Sequence, residues 1–392
     1  MRVVGVISGT SHDALDVAAA EFARHGETLW LAPLGDLEIP FPKRLRADVA
    51  AALPPHPSSV EQVCRLHAEL GQVFAEAAAR GVAELADGRA DLVVSHGQTM
   101  FHWVSEGRAL GTLQLGEPAW IARRTGLPVL ADLRAADIAR GGQGAPLAPT
   151  LDSMLLAPRH APRAALNLGG IANLTVVRPD GSVLGYDAGP ANALIDAASE
   201  ALAGVPYDAD GQLAGSGKVL PVLLEELLAE PYYAAPAPKS TGKELFCWAY
   251  LADRLDRLGA TPAAADVVAT ATELTAHVIA SDATRHGVTE LIASGGGTRN
   301  PVLMRRLREL GDDRFRVAVI DELGVPSAAK EAYLMALVGY LSWHGLPGVV
   351  PSATGASEAA VLGSFTPGTA PLRLPAAAAD SPRRLVIGTP PD

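Results

Sequence analysis

Val3-Val4-Gly5-Val6-Ile7-Ser8-Gly9-Thr10-Ser11-His12-Asp13-Ala14-Leu15-Asp16-Val17-Ala18 is the stretch from which the fold is read. An apolar run enters a turn of Ser, Gly and Thr, and a second mostly apolar run leaves it, the pattern of a β-hairpin. Small residues let backbone N–H groups approach an anion, and hydroxyls add donors that suit phosphate oxygens. Asp13 and Asp16 follow the turn, where a carboxylate can hold Mg²⁺ through water. A surface hairpin with a polar turn is the other reading of the same residues.

Two further turns support the phosphate reading. Ala164 to Val177 runs strand, Gly169-Gly170, strand, and Asp180-Gly181 then leads into a third run, Val183 to Tyr186. Glu290 to Ser294 enters Gly295-Gly296-Gly297-Thr298-Arg299-Asn300, and Pro301 opens a helical pattern with Leu303, Met304, Leu307 and Leu310. Asn300 is a good N-cap and Pro301 a good first helical residue, which places the glycines at a helix N-terminus. Together the three turns suit a nucleotide and its phosphates.

The bulk properties narrow the classes. With 392 residues the chain can bury a large core and suggests two domains. Hydrophobic residues at 48% and charged residues at 19% describe a globular chain. A formal net charge of -11 argues against nucleic acid, which selects a basic face. Only two cysteines occur, Cys64 and Cys247, which fits a reducing cytoplasm and no disulfide framework. The N-terminus lacks a signal-peptide pattern, and no apolar run approaches the roughly twenty residues that a membrane span needs.

Along the chain, strands are expected at Leu29–Leu37, Asp91–Ser95, Leu113–Leu115, Val129–Ala131, Phe315–Ile320 and, as an edge strand, Leu385–Gly388. Helices are expected at Lys43–Leu53, after Ser59, at Glu117–Thr125, Pro149–Leu156, Asp266–Arg285 and Ala328–Trp343. Asp91–Ser95 ends in His96-Gly97-Gln98-Thr99, and polar groups at a strand's C-terminal end are where open α/β sheets bind ligands. His96 reads equally as a structural histidine bonded to a nearby loop. Asp132 and Arg134 follow the strand at Val129–Ala131; they suit a polar small molecule or an ion pair that fixes the loop. Gly141-Gly142-Gln143-Gly144 reads as a mobile connection or a close backbone approach. Asp187 sits between a strand end and a helix start, as a helix cap or as a general base. No P-loop, G-x-S-x-G elbow or H-E-x-x-H helix is present.

Several motifs stand in a fixed order: Ser8-Gly9-Thr10-Ser11, Ser95-His96-Gly97-Gln98-Thr99, Gly141-Gly142-Gln143-Gly144-Ala145-Pro146-Leu147, Asn167-Leu168-Gly169-Gly170-Ile171-Ala172-Asn173, Asp187-Ala188-Gly189-Pro190, Lys239-Ser240-Thr241-Gly242 and Ser294-Gly295-Gly296-Gly297. In this order, over nearly the whole length, the chain resembles the anhydro-N-acetylmuramic acid kinase family of the sugar kinase, Hsp70 and actin superfamily. The resemblance implies an α/β, two-lobed actin-like ATPase (ribonuclease H-like) fold with an inter-lobe cleft. It divides the chain into a first lobe at 1–160, a second at 161–345 and a C-terminal segment, 346–392, that packs back on them.

It also implies ATP and Mg²⁺ as cofactors, hydrolytic opening of the 1,6-anhydro ring of an amino sugar, and phosphorylation at O6. Gly9, Thr10, Ser11, His12, Asp13, Ala14, Leu15 and Asp16 match the ATP-phosphate segment; Gly169, Gly170, Gly295, Gly296, Gly297 and Asn300 complete the nucleotide side. Asp187 matches the residue that activates water. Gln98, Thr99, Glu117, Asp132, Arg134 and Asn192 are assigned to the sugar, and Asp13 to the metal through water. A cytoplasmic homodimer that binds neither nucleic acid nor membrane completes the expectation.

The sequence departs from the family pattern at three places. His12-Asp13-Ala14 stands where Leu or Met and then Asp-Gly is usual, Ala191 stands in place of a glycine, and Met100-Phe101-His102 replaces Leu-Arg-His. The last change removes a cation near Gln98 that could meet a lactyl carboxylate. The competing reading is a non-catalytic nucleotide-binding regulator, or a kinase of a related sugar, on the same scaffold. Retention of Asp13, Asp16 and Asp187 favours the kinase.

Overall fold

The computed structural model describes residues 1–9, 14–237, 239–242, 244–259 and 261–390. β1 (Arg2–Ser8), β2 (Ala14–His25) and β3 (Thr28–Pro40) form an antiparallel meander, with Ser8 opposite Leu15 at the first turn. The expected N-terminal hairpin is therefore present. Its turn residues Thr10, Ser11, His12 and Asp13, to which four of the nucleotide assignments fall, lie outside the described residues.

β4 (Leu92–Ser95) runs parallel to β1 on the side away from β2. β5 (Gln98–Ser105) and β6 (Arg108–Leu115) leave that sheet as a separate two-stranded ribbon. β7 (Val129–Ala131) returns parallel to β4. Antiparallel neighbours need only tight turns, whereas parallel neighbours need crossovers. The helices Lys43–Ala52 and Val60–Arg80 supply the crossover from the meander to β4.

β8 (Arg163–Leu168), β9 (Ile171–Val177) and β10 (Val183–Pro190) form a second antiparallel meander, and β11 (Glu290–Ser294) and β12 (Arg316–Val319) add in parallel beyond β8. The order β10-β9-β8-β11-β12 repeats β3-β2-β1-β4-β7, including every strand direction. The same supersecondary plan thus occurs twice, and no period in the sequence announces it.

The chain divides into two compact units, Met1–Ala157 with Gly324–Asp392, and Pro158–Leu323. The helix Lys330–Trp343, expected in the second lobe, belongs to the first unit. It is buried from Ala332 to Ser342 and packs on β1, where a Cβ at Gly5 would collide with the Ala332 carbonyl. The C-terminal segment adds β13 (Ser364–Thr366) beside β7 and β14 (Arg384–Ile387) beside β3, so both edges of the first sheet come from the end of the chain.

Each unit has its own apolar centre. In the first, Val4, Val6 and Val17 pack against Leu66, Leu70 and Phe74 of the helix Val60–Arg80. In the second, the helix Ala264–Arg285 buries Val267, Ala271, Leu274 and Ile279 against Leu166, Leu194 and Leu291. Among the described residues no helix is long and apolar enough to cross a membrane.

Candidate active site

In the first unit the assigned residues gather at the C-terminal ends of parallel strands. β1 ends at Ser8, whose hydroxyl donates to Gln98 Oε1 across 2.6 Å. Gln98 is 1% exposed, and its Nε2 donates to the Thr99 carbonyl at 3.1 Å. The Thr99 hydroxyl in turn accepts from Gln114 Nε2 at 3.2 Å. Ala14 and Leu15 open β2, and the Leu15 side chain is fully buried in the core. Asp16 pairs with Ile7 in the ladder.

His96 behaves as the structural reading expected. It is 4% exposed, and burial together with the Arg134 charge pushes its pKa down to about 3. The ring is therefore neutral, with Nδ1 bonded to the Gly97 carbonyl at 2.9 Å and Nε2 accepting from Arg134 Nε at 2.9 Å. No ion pair joins Asp132 to Arg134. Arg134 instead donates Nη1 to the Gly144 carbonyl at 2.7 Å. Asp132 is exposed at φ 56 directly after β7, and partial desolvation of its carboxyl raises its pKa.

The segment Gly141–Gly144 is a close backbone approach. Gly144 N–H donates to buried Asp137 at 2.7 Å, and the Gln143 side chain bonds Ala109 N and Gly107 O of the ribbon turn at 3.0 and 3.1 Å. Glu117 caps the helix Pro118–Thr125 through Ala119 N at 3.1 Å and accepts from His67 Nε2 at 3.1 Å. Its carboxylate is thus engaged with the helix N-terminus and with His67.

In the second unit the hairpin turn Gly169-Gly170 is tied to the start of the helix Ala193–Ala203. The Gly170 carbonyl accepts from Ala191 N and Ala193 N, each at 2.9 Å, and the Gly169 carbonyl accepts from Asn192 N at 3.0 Å. Asn192, assigned to the sugar, also spends its Nδ2 on Leu168 O and Gly169 O at 3.2 and 2.7 Å. Ala191 is fully buried there, so the extra methyl relative to the family's glycine is packed within the core.

The three late glycines have three different surroundings. Gly295 adopts φ +87 against Leu168 O, and a Cβ at Gly297 would lie 2.7 Å from Leu168 Cβ. Gly296 meets nothing within 4 Å. It borders a cavity of about 370 Å³ that Asn192, Asp196, Tyr207, Asp210, Arg299 and Asn300 also line. Asn300 Oδ1 caps the helix Pro301–Gly311 through Val302 N and Leu303 N at 3.0 and 3.1 Å, as the sequence predicts. Another groove, of about 480 Å³, lies along Ile39, Pro40, Leu45 and Val73 and holds none of the assigned residues.

Asp187 is not a helix cap; it lies on β10, six residues before the helix begins at Ala193. Its Oδ1 accepts from Asn173 Nδ2, while Oδ2 accepts from the Ser240 hydroxyl and from Thr241 N–H, each at 3.0 Å. Its own N–H donates to Lys239 O at 3.0 Å, and Tyr232 OH donates to its carbonyl at 2.7 Å. Lys239 closes the arrangement, donating Nζ to the Tyr232 and Tyr233 carbonyls at 3.0 and 3.1 Å. A carboxylate fixed on both oxygens and still half-exposed can accept a proton from a positioned water.

Sequence reasoning had Asn173, Ser240 and Thr241 in its motifs but gave them no role. It missed Tyr207, Asp210 and Arg299 beside the cavity. The Gly/Asp-rich stretch at 208–217 was the available signal.

A meander with two parallel strands added beyond its first member, occurring once in each unit with glycine turns at the strand ends, defines the actin-like ATPase class. The family model described as anhydro-N-acetylmuramic acid kinase matches residues 1–368. A protein of that name from Streptomyces avermitilis is 55% identical over 390 residues, covering 99% of this chain and 100% of the relative. Its counterpart from Streptomyces coelicolor is 53% identical and covers both chains fully. Among solved structures, an activator of 2-hydroxyisocaproyl-CoA dehydratase from Clostridium difficile with bound ADPNP aligns at a TM-score of 0.42 and 14% identity, covering 86% of this chain and 93% of that one. The chain belongs to the anhydro-N-acetylmuramic acid kinase family and is a kinase; the non-catalytic regulator is not favoured.

Proposed function

We propose that this kinase uses ATP and water to convert 1,6-anhydro-N-acetylmuramic acid into N-acetylmuramate 6-phosphate and ADP, in the recycling of peptidoglycan. The observation that carries the reading is the fixed carboxylate of Asp187, held by Asn173, Ser240 and Thr241 on a strand that ends beside the Gly169-Gly170 turn. In the reaction a water oxygen bonds to the anomeric carbon and gives its proton to Asp187. The bond from that carbon to O6 breaks, O6 bonds to the γ-phosphorus, and the β–γ bridging oxygen leaves with ADP.

The nucleoside takes the cavity bordered by Gly296 and Asn192, whose size is within the range of small-molecule sites. The Gly169-Gly170 turn and the segment Gly9 to Asp16 serve the phosphates. Among the described residues no three acidic, histidine or cysteine side chains converge as a metal cage. Mg²⁺ keeps much of its water and is held chiefly by nucleotide phosphates, with Asp13 reaching it through water. Bound there, Mg²⁺ neutralises phosphate charge during transfer.

A cytoplasmic homodimer is the proposed setting. Two free cysteines support the compartment. The exposed Phe101, Trp103 and Leu110 of the ribbon support the assembly, since apolar patches mark contact surfaces.

The test is Asp187→Asn. ADP release stimulated by the anhydro-sugar is expected to vanish while ATP binding, measured by calorimetry, persists. Turnover at the unaltered rate would remove the assigned role.

A further inference from the structure

We infer that Lys239 is a positioning residue for the water-activating carboxylate, holding the loop whose Ser240 and Thr241 aim Asp187. This rests on the function proposed above and concerns how the base of that site is held. β10 is an edge strand of its sheet, so the outward N–H and C=O of Asp187 have no neighbouring strand to meet. They meet the loop instead: Asp187 N–H donates to the Lys239 carbonyl at 3.0 Å, and Tyr232 OH donates to the Asp187 carbonyl at 2.7 Å. The Lys239 side chain joins these two supports. Its Nζ donates to the Tyr232 carbonyl at 3.0 Å and lies 4.6 Å from the centre of the Tyr232 ring. Lys239, Tyr232 and Asp187 thus close a ring of three hydrogen bonds around the backbone of the base.

The local structure needs such a tie. The register of β10 on β9 shifts between Asp187 and Gly189, and an irregularity of that kind re-aims a side chain while it interrupts the ladder. Lys239, Ser240 and Thr241 belong to no helix or strand, so no periodic hydrogen bonding fixes them. A lysine on a loop ordinarily keeps its ammonium in water. Here burial pulls the Lys239 pKa down against the opposing charge of Asp282, and the ammonium exchanges hydration for two carbonyls and an aromatic face. The Tyr232 ring packs edge-on against fully buried Phe246, so the tie ends on the core of its unit. Asn173 holds Oδ1 of Asp187 from within the sheet, whereas both donors to Oδ2 stand on the loop beside Lys239. Loosening the loop therefore frees one carboxylate oxygen and leaves the other held.

The test is a double-mutant cycle between Lys239→Met and Ser240→Ala, following ADP release with the anhydro-sugar and amide hydrogen exchange at Thr241. Lys239→Met is expected to lower kcat roughly tenfold or more, with the KM for ATP within about twofold of native, and to speed exchange of Thr241 N–H. Adding Ser240→Ala to it should cost less than about threefold further, because the hydroxyl has already lost its aim. Lys239→Arg should recover part of the rate, since a guanidinium can also lie over Tyr232 and donate to the carbonyls. Losses that multiply independently, a kcat for Lys239→Met within about twofold of native, or an ATP KM that rises in step with the fall in kcat overturn the inference. If Lys239→Met does not fold, Lys239→Gln carries the same cycle, and fast exchange of Thr241 N–H in the native protein overturns the inference without any variant. An inactive Asp187→Asn beside an unaltered Lys239→Met refutes the role of Lys239 alone. Asp187→Asn at the native rate refutes the base and leaves Lys239 nothing to position. Native protein that turns over no anhydro-sugar refutes the proposed function; exchange at Thr241 then decides whether Lys239 holds the loop, and protection unaltered by Lys239→Met overturns that as well.

Discussion

The Ser240 hydroxyl donates to Asp187 Oδ2 across 3.0 Å, joining a loop to a strand 53 positions earlier. Thr241 N–H shares that oxygen, so a loss of the hydroxyl leaves the carboxylate misaimed but not abandoned. Ser240→Ala should lower kcat roughly tenfold, with the KM for ATP within about twofold of native. Ser240→Thr should recover most of the rate. Steady-state kinetics on the three proteins check this, and an ATP KM that moves as much as kcat speaks against a positioning role.

Asn192 supplies a contrast. Its Nδ2 holds the Leu168 and Gly169 carbonyls, so its removal loosens the second glycine turn. Asn192→Ala should raise the KM for ATP about five- to tenfold, while the KM for the sugar changes little. A change confined to the sugar KM would show that its remaining oxygen faces the sugar.

The neighbouring glycines should separate stability from binding. Gly297→Ala pushes a methyl against Leu168 and should cost about 1–3 kcal/mol, seen as a lower melting temperature. Gly296→Ala has open space and should melt within a degree or two of native, yet it fills the mouth of the cavity and should weaken ATP binding. Thermal melts with and without ATP read both effects.

His96 makes a pH prediction. Its folded pKa of about 3 lies below the ordinary 6.5, so between these values the unfolded chain binds the extra proton. Its contribution is complete above pH 6.5 and is lost as pH falls towards 3. By pH 5 the loss should reach about 2 kcal/mol, read from urea midpoints. His96→Gln, whose amide oxygen can still accept from Arg134, should flatten that slope.

Much of the fold was legible because each sheet begins with a hairpin whose apolar runs flank a small-residue turn, at Val3–Ala18 and Ala164–Val177. The Asn300 cap and the following helix were equally plain. The ribbon was not: shifts in register between Thr99 and Phe101, and between Trp103 and Val104, break the alternation that marks strands, so only its last three residues read as β. The placement of the helix Lys330–Trp343 was hidden for another reason. It is apolar on all sides, and a helix without a polar face gives no hint of which sheet it covers. At the site, a carboxylate's position could be read but not all its partners: Asn173 faces Asp187 across the β9–β10 pair, whereas Ser240 arrives from 53 positions later.

The second unit is one unbroken segment, set between Ala157 and Gly324. During synthesis on the ribosome, Pro158–Leu323 is complete while its host still lacks the helix under β1 and both outer strands. The inserted unit can mature first, and release from the ribosome should gate the final closure of its host.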